Sequence, residues 1–344
     1  MQPTQNLTRD NHYVQQALIR RWSQDENNVC AYRTLVSHTS VKEWELKSIK
    51  VLAEQRNLYT VFLNGRETDE FEHRIEAEFE TPGIKATEKV VNGETVASAG
   101  YEAIGRSVAV QDLRTPSSYL EEKARLEREF PSLAARFKET CQQLPSANAG
   151  SKPARTSASD DFSRSLKVRL HKGEVEENTS VVAELAVSDG RSSWLSSIER
   201  KLHTHTKLIS EHQWSVLEPY GNEEWPLTDQ PVVRLNYYET GRYDFGGGWG
   251  NPNTEIMMPI SPRHLLYVKV GNTPSPDRYP LSEELTHSFQ RFLVERAYRL
   301  VMARKQWDWV RRYKPRRVDP ALFTAEQKMW AQWHENQLRI EKTW

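Results

Sequence analysis

The 344 residues predict an α+β fold, helix-rich, with a small antiparallel or mixed sheet in the C-terminal half. Three observations predict it. Apolar residues at helical spacing dominate the first 144 positions. Beyond them, four short β-favouring runs (214–217, 232–238, 255–260 and 265–270) alternate with turn-rich segments. The chain then ends in long stretches of helical period that carry many of its tryptophans.

Taken in order, Asp10 is placed to cap a first helix through His12, Tyr13, Val14, Ala17 and Leu18, ending near Trp22. Segments 29–36 and 49–63 read as short strands or extended pieces, with Asn64-Gly65 as a turn. A helix over 67–79 should stop at Thr81-Pro82-Gly83, and further helices follow at 84–91 and 96–113. Pro116 opens a charged helix over 117–130, and another starts after Pro131. Residues 145–161, PSANAGSKPARTSASDD, have almost no bulky apolar side chain and form the expected linker between a mainly helical part (1–144) and a sheet-plus-helix part (162–344). One composite domain is the alternative. After the linker come a helix over 194–209, the four β runs, and a helical period over 285–302 through Phe289, Phe292, Leu293, Ala297 and Leu300. Pro320 begins the last helix.

Composition bounds the function. Hydrophobic residues at 37% and charged residues at 27% describe a globular chain. Lysine plus arginine equals aspartate plus glutamate at 47 each, so no global field recruits nucleic acid or anionic lipid, and electrostatic recognition has to be local. The apolar stretches 227–235 and 256–270 are broken by Asp229, Arg234 or Arg263 and are too short to span a bilayer. With no export signal at its start, the chain is expected in the cytoplasm without a membrane partner. Cys30 and Cys141 lack CxxC spacing and read as buried thiols. Serine-hydrolase, zinc-protease, dinucleotide and kinase signatures do not occur.

Four strings stand out: Asn11-His12-Tyr13-Val14-Gln15, Gln111-Asp112-Leu113-Arg114-Thr115-Pro116, Leu227-Thr228-Asp229-Gln230-Pro231 and Pro259-Ile260-Ser261-Pro262. In order and spread the chain resembles domain-of-unknown-function family 4238, a mostly bacterial family with His-Tyr-Val-Pro, Gln-x-x-Arg-Thr-Pro, Thr-Ser-Asp-x-Pro and Pro-Leu-Ser-Pro strings. Gln15 replaces the first proline and no serine precedes Asp229, which marks a divergent member. The resemblance implies no established activity.

His12, Gln111, Arg114 and Asp229 are polar groups set among apolar neighbours, where an unpartnered donor or charge costs about 1–3 kcal/mol or more. One reading is structural, with Arg114 clamping a carboxylate and Asp229 capping a turn. The other is a shared catalytic site: His12 as general base or ligand, a divalent cation held by His12, Glu80 and Asp229, and Arg114 on a phosphate. Glu80 comes from the run Asp69, Glu72, Glu76, Glu80, whose last three share a face at i, i+4, i+8; a solvated helix face is the plain alternative. His203-Thr204-His205 in a helix points its rings about 200° apart and is not expected to bind metal. The glycine cluster 246–250 lacks a phosphate-loop lysine and reads as a mobile connection between strands.

Near the C-terminus, Arg304, Lys305, Arg311, Arg312, Lys314, Arg316 and Arg317 surround Trp307, Trp309 and Tyr313, a composition suited to phosphates and stacked bases. The same residues suit a solvated helix whose tryptophans enter the core. Trp330, Trp333 and Trp344 could pack the tail on the body or on a second subunit. Two functions follow: a metal-dependent nuclease or other phosphodiester-acting enzyme, which would suit bacterial conflict or phage defence, or a non-catalytic binding protein whose motif residues are structural.

Overall fold

A computed structural model describes residues 7–143, 166–175, 178–273 and 278–343. The fold is α+β. Its largest sheet is six-stranded and mixed, in the order Arg242–Asp244, Val233–Glu239, Glu255–Ser261, His264–Lys269, Ser215–Glu218, Tyr279–Pro280. Only the last pair is parallel. Glu255–Ser261 is buried along its whole length, as a central strand covered on both faces must be. The four β runs expected from the sequence are the body of this sheet.

A second, four-stranded antiparallel sheet runs Leu227–Thr228, Leu300–Ala303, Asn28–Arg33, Trp44–Ser48. It draws strands from both ends of the chain. Leu300–Ala303 was expected as the last turns of a helix over 285–302. The helix instead stops at Arg296, Ala297 turns the backbone to an extended ψ, and the four buried residues pair between two strands. Tertiary pairing overrides the helical period there.

Three further expectations change. Asp10 is not a helix cap: Asp10–His12 is a strand paired with Glu54–Arg56, and the first helix is the short Gln16–Arg20. Thr81-Pro82-Gly83 does not stop a helix: Glu70–Ile75 continues through a wider, π-type turn at Glu76–Glu80 into Thr81–Val91. That wider turn lies where Pro82 has no N–H to give one turn back, so the rod continues past the proline. Pro131 sits inside a single helix, Pro116–Gln143, rather than between two. The expected linker 145–161 lies outside the described residues, as does the Cys141 side chain; Cys30 is half-buried rather than buried.

The main hydrophobic core joins the first helix (Leu18, Ile19) and the turn after it (Trp22), the helix Ser98–Leu113 (Ile104, Val108) and the helix Arg191–Ser210 (Trp194, Ile198). Two helices come close enough at Gly105 that any Cβ there would meet Ile209 and Trp214. A separate cluster lies between the six-stranded sheet and Glu283–Arg296. The C-terminal helices Pro320–Ala331 and Trp333–Thr343 fold back on the body. Trp333 is buried and donates to Asn57 O at 3.1 Å, and the fully buried Arg191 grips Glu341 through Nε and Nη2 at 3.0 and 2.7 Å. No described helix is long and apolar enough to cross a membrane.

Candidate functional site

The His12-Tyr13 peptide lies between the strand Asp10–His12 and the first helix, where its carbonyls have no ladder partner. Arg114, at the end of the helix Ser98–Leu113, supplies donors. Its Nη2 donates to His12 O at 2.5 Å and its Nε to Tyr13 O at 3.3 Å, while Gln111 Nε2 donates to Tyr13 O at 2.6 Å. Nη1 faces Glu80 as an ion pair. The hydroxyl of Tyr59 closes the group by donating to Arg114 O at 2.7 Å, one of the carbonyls a helix end leaves open. Arg114 and Gln111 are each 1% exposed.

Burial of Arg114 opposes its charge, but Glu80, Tyr59 and Glu72 outweigh it and hold the guanidinium above its ordinary pKa. Glu72 is pushed up to about 7 by burial, against the pull of Arg114. The expected carboxylate stripe is therefore broken by the π-type turn: Glu76 is exposed, whereas Glu80 is buried against Arg114. The His12 ring lies 3.0 Å from Gln16 Nε2 and 3.8 Å from Glu54, and burial lowers its pKa, which favours the neutral imidazole.

Asp229 makes a second brace. Its two oxygens accept from Tyr298 N at 2.9 Å and Arg299 N at 2.6 Å, and its own N–H donates to Leu300 O at 3.1 Å. The carboxylate thus holds the turn that ends the helix Glu283–Arg296 and starts the strand Leu300–Ala303. Burial raises its pKa to about 6 although the backbone donors of Arg299 and Tyr298 oppose the shift.

Gln111 and Arg114 meet the backbone of His12-Tyr13, and Glu80 meets Arg114; Asp229 belongs to the other brace. Among the described residues no group of three or more His, Cys, Asp or Glu is placed to hold a metal ion, so His12, Glu80 and Asp229 do not form the ligand set expected from the sequence.

Between the two braces lies a cavity of about 290 Å³. Tyr13 and Glu54 line one side, Arg33 and Leu300 the sheet side, and Phe323 and Trp330 of the C-terminal helix close it; Asp229 reaches it from the second brace. Burial and then the Asp229 charge raise the pKa of Tyr13. Arg299 is engaged in full: it forks onto Glu326 (Nε to Oε1 and Oε2 at 3.0 and 2.9 Å, Nη2 to Oε2 at 2.8 Å) and lies 4.0 Å over the Tyr298 ring. Among the lining residues Tyr13, Pro116 and Asp229 belong to the motifs; nothing in local sequence flags Arg33 or Glu54, which tertiary pairing brings there, and Trp330 stands out only as a residue able to pack the tail on the body.

Most of the basic C-terminal group is engaged. Arg304 pairs with Glu224 at 3.3 Å, Arg311 with Glu43 at 3.7 Å and Arg317 with Asp319 at 2.6 Å. Lys314 donates to Glu295 O at 2.9 Å and Arg316 to Val41 O at 2.6 Å. Lys305 and Arg312 are exposed, with no ion pair among the described residues. Trp307 is 6% exposed and stacks on Trp309 with centroids 5.3 Å apart, so its faces are packed.

In the His203-Thr204-His205 string, His203 and Thr204 are exposed and His205 is half-buried. His205 stacks on Trp249 at 5.8 Å, and Trp249 donates to Asp112 at 3.1 Å. That anchor fixes the glycine cluster, where a Cβ on Gly247 would come 3.0 Å from the Arg234 backbone.

No curated protein and no solved structure matches the chain. A family profile, DUF4238, described as a protein of unknown function, matches residues 10–306, a span that takes in all four motif strings and both braces. By that match the chain belongs to the DUF4238 family.

Proposed function

We propose that the chain is a non-catalytic binding protein whose motif residues hold the walls of the cleft between Tyr13 and Trp330. One observation carries this reading. The polar atoms that catalysis would need are spent on the protein itself: Arg114 on two carbonyls and Glu80, Asp229 on two backbone N–H groups. An arginine that takes a phosphate, or an aspartate that takes a metal, has to present those atoms to solvent. Both side chains are at most 2% exposed. Buried polar groups satisfied by backbone are what an architectural role requires.

The nuclease alternative has a direct test. Labelled single- and double-stranded DNA and RNA are incubated with the full chain under magnesium, manganese or chelator. The expected result is no cleavage in any condition. Metal-dependent cleavage that disappears in folded His12→Ala and Asp229→Asn variants overturns the binding-protein reading.

A further inference from the structure

We infer that the cleft between Tyr13 and Trp330 binds a small zwitterion, a molecule carrying one carboxylate and one ammonium on a short skeleton, as in a free α-amino acid. The inference rests on the binding-protein reading and gives the cleft an occupant.

Only some of the cleft's polar groups are available to a ligand. Arg299 and Glu326 saturate each other, and the Asp229 oxygens each hold a backbone N–H. Two charges remain. The Arg33 guanidinium forms no hydrogen bond or ion pair among the described residues, although its field reaches Tyr13 and Glu45. Among the described residues the Glu54 carboxylate pairs only with the His12 ring, at 3.8 Å, while burial and the Asp10 charge raise its pKa. Arg33 is on the four-stranded sheet, opposite Leu300 in register, while Glu54 is on the strand that pairs with His12. One unspent cation and one unspent anion thus line the same cavity from different sheets.

A ligand taken from water into this space must replace the hydration of its charges with partners of opposite sign. A carboxylate finds the planar fork of Arg33, which matches it in two hydrogen bonds. An ammonium finds Glu54 and the faces of Tyr13 and Trp330, which attract cations. The apolar remainder meets Leu35, Phe323 and the Trp330 ring. A bare anion such as inorganic phosphate would face Glu54 and Asp229 with a single arginine in its favour, and a bare amine would face Arg33. At about 290 Å³ the cavity is at the small end of ligand sites, which run from about 300 to 1,000 Å³, so the skeleton must be short.

The test is titration calorimetry of the full chain with the proteinogenic free α-amino acids one at a time. Each is compared with its carboxamide, which loses the negative charge, and its deaminated acid, which loses the positive one. At least one amino acid is expected to bind, and both analogues at least tenfold more weakly. Arg33→Gln should abolish the preference over the carboxamide and Glu54→Gln the preference over the deaminated acid, with melting temperatures unchanged because both side chains reach solvent. Equal binding of either analogue overturns the zwitterion inference. If no amino acid binds but neutral fragments do, and Ser117→Trp, at a residue that lines the cleft, blocks them, the inference falls and the cleft reading stands. If nothing binds, both fall.

Discussion

Replacing Arg114 by methionine keeps an unbranched apolar stem and removes the charged guanidinium. Three losses follow from the structure. Glu80 is left as a buried carboxylate without its cation, His12 O loses its donor, and Tyr13 O keeps only Gln111. Removing one partner of a buried pair costs about 3–5 kcal/mol, and an orphaned carbonyl adds about 1–3 kcal/mol. Against a total stability of about 5–15 kcal/mol this leaves the fold marginal. Glu80→Gln alone should cost less, because the guanidinium keeps its carbonyls. The double variant should cost less than the sum of the two, with a coupling of about 1–3 kcal/mol. Urea unfolding followed by the fluorescence of the chain's 11 tryptophans measures all three. An Arg114→Met variant within about 1 kcal/mol of wild type would refute the brace. If that stable variant also lost a biochemical activity, Arg114 would move from architecture to chemistry.

Asp229 gives a pH dependence. Its folded pKa of about 6 lies above the ordinary aspartate value of 3.8, so the fold binds this proton more tightly than the unfolded chain does. The resulting stability is present below pH 4 and is lost as pH rises through 6, a swing of about 3 kcal/mol at roughly 1.4 kcal/mol per pKa unit. Asp229→Asn should lose one N–H acceptor at every pH and gain on wild type between pH 4 and 7; parallel stability curves for the two proteins would contradict the assignment. Gly105→Leu forces a side chain between two packed helices and should cost roughly 1–3 kcal/mol or more by thermal unfolding, with a neutral result excluding the close approach. Arg191→Ala leaves Glu341 buried without its partner, so amides of Trp333–Thr343 should exchange with solvent well before the main core; unchanged protection there would mean that the fork does not hold this helix.

The sequence by itself determined the class of the fold, because the short β-favouring runs that became Ser215–Glu218, Val233–Glu239, Glu255–Ser261 and His264–Lys269 are set apart by turn-rich segments and so declare themselves locally. It also marked Arg114 and Asp229 as groups in need of partners, since a charge among apolar residues announces its own desolvation cost. What those partners are was decided by tertiary structure. Arg114 meets backbone carbonyls about 100 residues away, and Asp229 meets a turn about 70 residues away, contacts that no spacing rule encodes. Leu300–Ala303 reads as helix in isolation and becomes a strand because two strands from distant segments leave a buried slot between them. The carboxylate run 72–80 has a clean helical period, yet a π-type turn rotates Glu76 outward and Glu80 inward. The cleft residues Arg33 and Glu54 were illegible for the same reason: each is an ordinary residue of its own element, and only the packing of a sheet, a short strand and a C-terminal helix puts them with Trp330 around one cavity.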